Sequence, residues 1–291
     1  MTAVATGEQL SARYLGVPGE RVFTLSFQPQ QAARGQVLYL PPFAEEMNRC
    51  RALAAAQARQ FAAAGYGCTL MDYRGTGDSD GVFEAVSLQD WLADVGLVLD
   101  DIAQRYSQPP LLWGIRSGCL LGACTAGAAN ASSTVTNSTA ASAIGTRIAG
   151  LLMLQPVVSG RRFVRQLVRQ RIAAAVERGA GETSSEDIQQ RWQAGESVEI
   201  GGYQPSARLM LELEQMELTD FNLAGLPLRW LEHLGEGQDE PGLAVQRMLD
   251  TLREGGAQVE LHGFAGPAIW QLNERAATPE LLDVLGALYR P

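Results

Sequence analysis

The sequence predicts an α/β protein built on a doubly wound, mostly parallel sheet, and three observations carry that expectation. Short apolar, β-rich runs alternate with longer segments of helical spacing. Glycine and proline punctuate the boundaries between them. The chain, at 291 residues, is long enough for one large domain with a substantial core. Such alternation favours parallel strands joined by right-handed crossovers, with helices covering both faces.

Gln36-Val37-Leu38-Tyr39-Leu40 reads as a buried strand closed by Pro41 and Pro42. An alanine-rich helix follows over 49–64 and stops at Gly65, a natural C-cap. Gly67-Cys68-Thr69-Leu70-Met71 is the next strand, running into a turn-rich loop over 72–79. Leu92, Val95, Leu99 and Ile102 mark one face of a helix over 88–105. Further strands are expected at 111–114, 150–155, 228–232 and 258–261, and helices at 243–254 and 279–288. Two stretches interrupt the pattern. Residues 125–146, rich in Ala, Ser, Thr and Asn without a sustained period, read as a helix end and a mobile surface loop. Residues 159–222 are mostly helical and lie between two strands, where a lid over the sheet's ligand edge is expected.

Charge and composition exclude several classes. A net charge of −9 argues against nucleic-acid binding, which needs a basic face. No apolar run reaches the roughly 20 residues that span a bilayer, and the first residues lack a secretory pattern, so a soluble cytoplasmic protein is expected. Cys50, Cys68, Cys119 and Cys124 have no metal-ligand spacing, which predicts reduced thiols and no metal. All 23 basic residues are arginine, so lysine Schiff-base chemistry, pyridoxal included, is excluded. The glycines of 75–77 and 114–118 lack dinucleotide spacing, and no cofactor is expected. Arg161, Arg162, Arg165, Arg169 and Arg171 crowd one helix, reading as a solvated face balanced by acidic neighbours, or as a face for an anionic partner or membrane.

The chemistry-bearing motif is Gly114-Ile115-Arg116-Ser117-Gly118 between a strand and a helix. Its spacing is that of the G-x-S-x-G elbow, and it predicts the α/β-hydrolase fold with a degenerate apex, because arginine stands where the nucleophilic serine belongs. A guanidinium stays protonated and offers no lone pair, so the acyl-enzyme route is closed. A shifted register with Ser117 at the apex would put Ile115 and Cys119 where small residues are needed. In the unshifted register Ser117 contributes its N–H to an oxyanion hole. A cation at a helix N-terminus, itself about half a positive charge, needs an anion beside it. The expected partner of Arg116 is Glu45 or Glu46, or a bound carboxylate or phosphate shared with them; the same pair is equally readable as a plug in a dead site.

Chain order in this fold places an acid and then a histidine after the nucleophile. Asp239 is the acid candidate and His262 the histidine candidate, with His233 ranked below it. Glu46 or Glu45 is the alternative base, acting on water, with Arg116 and the Phe43 and Ser117 N–H groups holding the oxyanion. Phe43 and Trp270 are expected to line the pocket or to belong to the core.

Three segments carry a more specific likeness: Leu40-Pro41-Pro42-Phe43-Ala44-Glu45-Glu46-Met47-Asn48-Arg49, Trp113-Gly114-Ile115-Arg116, and Gln155-Pro156-Val157-Val158-Ser159-Gly160-Arg161. With them the chain resembles the exosortase A system-associated hydrolase 2 family, a bacterial branch of the α/β-hydrolase superfamily, over about Gln36 to Trp270. The resemblance implies a role beside exosortase and exopolysaccharide production, exosortase-system proteins as partners, and an acyl, ester or peptide substrate. It departs from the family near the C-terminus, where Gly266-Pro267-Ala268-Ile269-Trp270 stands in place of a Pro-Pro-Phe-Trp run. The competing readings are a binding module for an anionic ligand and an interaction protein of the sorting machinery.

Overall fold

The structure, a computed structural model, describes residues 8–132, 147–177, 184–235, 237–272 and 278–289. Among them an eight-stranded sheet runs in the order β1-β2-β4-β3-β5-β6-β7-β8. Its strands are β1 (Glu8–Leu15), β2 (Val22–Pro29), β3 (Gln36–Leu40), β4 (Gly67–Met71), β5 (Leu111–Ile115), β6 (Gly150–Leu154), β7 (Pro227–His233) and β8 (Gln258–Phe264). The first two form an antiparallel hairpin, β2 meets β4 antiparallel, and the remaining pairs are parallel. This is the α/β-hydrolase fold. Every residue of β3 and β6 is buried, as expected of parallel strands covered on both faces.

Helices α1 (Glu45–Ala63), α2 (Leu88–Arg105), α3 (Ser117–Ser132), α7 (Leu243–Glu254) and α8 (Pro279–Ala287) supply that cover. Phe61 of α1 and Leu285 of α8 belong to one core, with Trp113 and Leu152. Leu99 of α2, Leu120 of α3 and Leu249 of α7 belong to the other, with Leu112 and Leu151. The sequence begins α2 with a capping box: Ser87 accepts from the Asp90 N–H and Asp90 accepts from the Ser87 N–H. The helix end expected from Thr125 runs as far as Ser132, and the expected surface loop over 133–146 lies outside the described residues.

Between β6 and β7 the chain passes through α4 (Gly160–Glu177), α5 (Ser185–Gln193) and α6 (Ala207–Glu214). Phe163, Trp192 and Met210 from these helices join the core of the sheet's α2 and α3 side. Arg161, Arg162, Arg165 and Arg169 of α4 are exposed. The last three line a groove with Glu186 and Glu214, and no ion pair within 4.0 Å joins them among the described residues. Arg171 faces the other way, its Nε donating to Glu199 O at 2.8 Å. No described helix is long and apolar enough to cross a membrane.

The loop after β4 is tied by its own carboxylates. Asp72 accepts from the Asp78 N–H at 3.0 Å and from Arg51, and a Cβ on Gly77 would fall 2.0 Å from Asp72 Oδ2. Asp94, only 2% exposed, accepts from the Arg74 N–H at 2.8 Å and from Arg74 Nε at 2.5 Å. Burial outweighs Arg74 and pushes the Asp94 carboxyl up to about 6. A carboxyl raised on folding contributes stability that is complete below its unfolded value and is lost as pH rises through about 6. Urea midpoints are therefore expected to fall between pH 4.5 and 7 more steeply in wild type than in Asp94→Asn; equal slopes would refute the assignment.

Candidate functional site

Arg116 sits between β5 and α3 with φ 53°, a left-handed conformation that costs a non-glycine residue roughly 1–3 kcal/mol. Its N–H donates to Leu154 O at 3.0 Å, and its carbonyl accepts from Cys119 and Val157 N–H groups. The flanking glycines are steric necessities. A Cβ on Gly114 would fall 2.6 Å from Cys119 N, and one on Gly118 would fall 2.2 Å from Leu40 O. Arg116 is thus the apex, in the unshifted register. Ser117 is buried as the first residue of α3, so its N–H belongs to the four without an intrahelical acceptor.

The other non-glycine residues with positive φ among those described are Ala44 at 50° and Gln155 at 44°. They follow β3 and β6, the neighbours of β5. All three strained residues therefore stand at carboxyl ends of adjacent strands, where ligands bind in this class of sheet.

Three groups enclose the Arg116 side chain, which is 11% exposed. Nε donates to Glu46 Oε1 at 3.3 Å, Nη1 donates to Gln155 O at 3.3 Å, and the guanidinium lies 5.8 Å from the centroid of the Trp270 ring. Between the two candidate carboxylates the choice falls on Glu46. Glu45 instead accepts from Tyr203 Oη at 2.7 Å and lies 3.7 Å from Arg49 Nε. Burial raises the Glu46 carboxyl above its ordinary value, a shift that Arg116 and Arg49 oppose without cancelling. Its Oε2 is buried and has no hydrogen-bond partner among the described residues.

A second buried carboxylate lies behind the arginine. Glu232, 7% exposed, accepts from Trp230 Nε1 at 2.7 Å and from Gln155 Nε2 at 3.0 Å. Burial raises this carboxyl as well. Gln155 Oε1 accepts from the His233 N–H at 2.7 Å, so one side chain braces β6 against β7 beneath Arg116. His233 Nε2 donates to Gly266 O at 2.7 Å, and its ring lies 5.8 Å from Trp270.

Sequence reasoning missed Gln155 and Glu232 and ranked His233 last. The two residues expected to complete a triad stand elsewhere. His262, expected after the strand, lies inside β8 opposite Leu231, with Nε2 3.7 Å from Glu260 Oε2. β8 continues to Phe264, which is why the loop begins later than the apolar run suggested. Asp239 is exposed in the turn after β7, beside a groove that also holds His233 and Gly266. Phe43 packs in an aromatic cluster, 5.5 Å from Phe83 and 5.9 Å from Phe163.

A cavity of about 570 Å³ opens beside this constellation, lined by Phe43, Glu45, Glu46, Arg171, Tyr203 and Trp270 among others. Phe43 and Trp270 therefore belong to the core and to the cavity wall at once. Arg116 is not in the wall; Glu46 and Trp270 stand in front of it. Thiol nucleophiles are not on offer, since burial pushes Cys50 up to about 12 and Cys119 higher still. Glu46, a carboxylate held by an arginine, is one of the residues that line the cavity, and a carboxylate so placed is a group able to accept a proton from water.

The profile of the hydrolase family described as serine aminopeptidase, S33 matches residues 31–216. No curated protein sequence matches the chain. Among solved structures, Est1E from Butyrivibrio proteoclasticus with ferulic acid bound superposes with a TM-score of 0.64 at 15% identity, covering 96% of both chains. Thermogutta terrifontis esterase 2 phosphorylated by paraoxon gives 0.55 at 15% identity, covering 97% of this chain and 92% of that one. A lipase/esterase from Lactobacillus plantarum gives 0.52 at 15% identity, covering 90% and 94%. At such identities the likeness shows the fold, and the profile, spanning well over half of the sequence, shows the family. The chain belongs to the serine aminopeptidase S33 family of α/β-hydrolases.

Proposed function

We propose that this protein is a cytoplasmic hydrolase of the exosortase and exopolysaccharide system. It cleaves an acyl, ester or peptide bond by direct attack of water, with Glu46 as the base and Arg116 as its positioning cation. The observation that carries the reading is Glu46 in the cavity wall, with Oε1 held by Arg116 and Oε2 without a hydrogen-bond partner among the described residues. The three segments that resemble the exosortase-associated family support the assignment, because each delivers one member of the constellation: Glu46, Arg116 and Gln155.

The Glu46 carboxylate takes a proton from water as the water oxygen bonds to the carbonyl carbon. The oxyanion is met by the N–H groups of Phe43 and Ser117. Collapse breaks the C–O or C–N bond, and the proton on Glu46 passes to the departing alcohol or amine, leaving a carboxylic acid. Raising the Glu46 carboxyl strengthens it as a base, and Arg116 keeps enough of it ionised to act.

A second reading, capture of a ligand without turnover, is favoured by the enclosure of Arg116 between Glu46, Gln155 and Trp270. A hydrolysis screen on short acyl esters, thioesters and peptides, paired with a serine-directed fluorophosphonate probe, separates the two. Wild-type turnover without labelling is expected. An inert wild type whose Arg116→Ser form accepts the probe would establish a binding protein on a hydrolase scaffold.

A further inference from the structure

Two arginines, Arg49 and Arg171, line the cavity; Arg49 faces Glu45, and Arg171 is the one that no carboxylate within 4.0 Å engages among the described residues. Arg171 projects from α4 into the same cavity as Glu46. Its Nε is fixed by Glu199 O at 2.8 Å, while its Nη1 is buried without a hydrogen-bond partner among the described residues. A buried donor left unpaired costs on the order of 1–3 kcal/mol, more when charged. A ligand acceptor at that atom would remove the cost and gain a charge-assisted bond.

The remaining charges around the cavity are engaged. Glu45 accepts from Tyr203 and Asn48 and faces Arg49 at 3.7 Å; Glu46 is held by Arg116; Glu199 Oε1 accepts from the Gly202 N–H. Counting Arg116 behind the wall, the carboxylates of Glu45, Glu46 and Glu199 are matched by the guanidiniums of Arg49, Arg116 and Arg171. An anion therefore enters a site of balanced charge in which Arg171 has no carboxylate within 4.0 Å among the described residues. Leu167, Ala174 and Ile200 line the cavity with Arg171, giving an apolar path along which an acyl chain can lie.

We infer that Arg171 is a specificity-determining residue that receives a terminal carboxylate, so that the substrates are acyl esters or amides carrying an anionic group on the part remote from the scissile bond. The inference rests on the cavity being the substrate site of the proposed hydrolase, but its test reads binding and does not need turnover.

Monomethyl adipate and methyl hexanoate have the same chain length and differ in a terminal carboxylate. Calorimetric titration of the whole protein with each is expected to show the monoanion binding about tenfold tighter or better. Arg171→Gln should reduce the preference to within about twofold while leaving affinity for the neutral ester in place, which also reports that the cavity is still folded. Arg171→Lys should restore part of it, and added salt should weaken the anion alone. If the wild type turns over such esters, Arg171→Gln should raise KM and leave kcat unchanged. Equal affinity for the two esters, a preference that survives Arg171→Gln, or failure of monomethyl adipate to bind would overturn the inference. None of these results bears on whether Glu46→Ala abolishes hydrolysis of neutral substrates, so the two readings fail separately.

Discussion

Gly118→Ala is expected to destabilise the protein by about 3 kcal/mol or more, beyond the usual cost of an added methyl group in a core. The new Cβ would stand 2.2 Å from Leu40 O and 2.9 Å from both Leu40 C and Pro41 O. All three obstacles are backbone atoms, so no side chain can rotate away. The end of β3 or the start of α3 must move, and with it the Phe43–Glu46 segment that meets Arg116. Gly96→Ala in α2 is the matched control: nothing lies within 4 Å of its Cβ, and helix propensity predicts a gain of up to about 1 kcal/mol. Urea denaturation of both variants checks the pair. A Gly118→Ala protein as stable as wild type would mean that α3 does not press against β3 as the structure has it.

That steric requirement explains why the elbow was legible in the sequence. Gly114 and Gly118 are demanded by the close approach of strand and helix whatever the apex residue does, so their spacing survives at an arginine apex. Buried strands were legible for a similar reason, since β6 is a continuous apolar run and β3 and β4 each contain a single polar residue, Gln36 and Thr69. The β1 and β2 hairpin was not, because β1 is almost wholly exposed and its residues follow no apolar pattern. Strand ends proved hardest. His233 closes β7 one residue beyond the expected end, and β8 runs on through His262 and Gly263, polar and small residues that periodicity does not flag, to Phe264. An error of that size moves a triad candidate from a loop into a ladder, as happened with His262. Glu45 and Glu46 share the first turn of α1, and only three dimensions separate the one that faces Tyr203 from the one that faces Arg116. Gln155 opens one of the three resemblance segments, but it carries no charge and no catalytic chemistry by which to be singled out. Its role follows from the positive φ that turns its carbonyl toward Arg116 and from the amide that spans Glu232 and His233.

Glu46→Gln is expected to lower kcat/KM by about a hundredfold to ten-thousandfold, the usual contribution of a positioned general base. The amide is close to isosteric and cannot accept the proton of water, so kcat should carry most of the loss. The pH profile gives the sharper test. A base must be ionised, so wild-type activity should rise with pH through an acid limb and then level. Because burial outweighs the arginines, the midpoint of that limb lies above the ordinary glutamate value of 4.5. Arg116→Ala removes the largest opposing influence, so the limb should move to still higher pH, with activity at neutral pH falling even though Glu46 is untouched. A pair that only plugs a vacant elbow makes a different set of predictions. Removing one partner would leave the other uncompensated and cost stability of about 3 kcal/mol, with no limb to shift and no turnover to lose. Initial rates from pH 4 to 9 on wild type and both variants, with urea midpoints on the same samples, therefore separate a working carboxylate from a structural one.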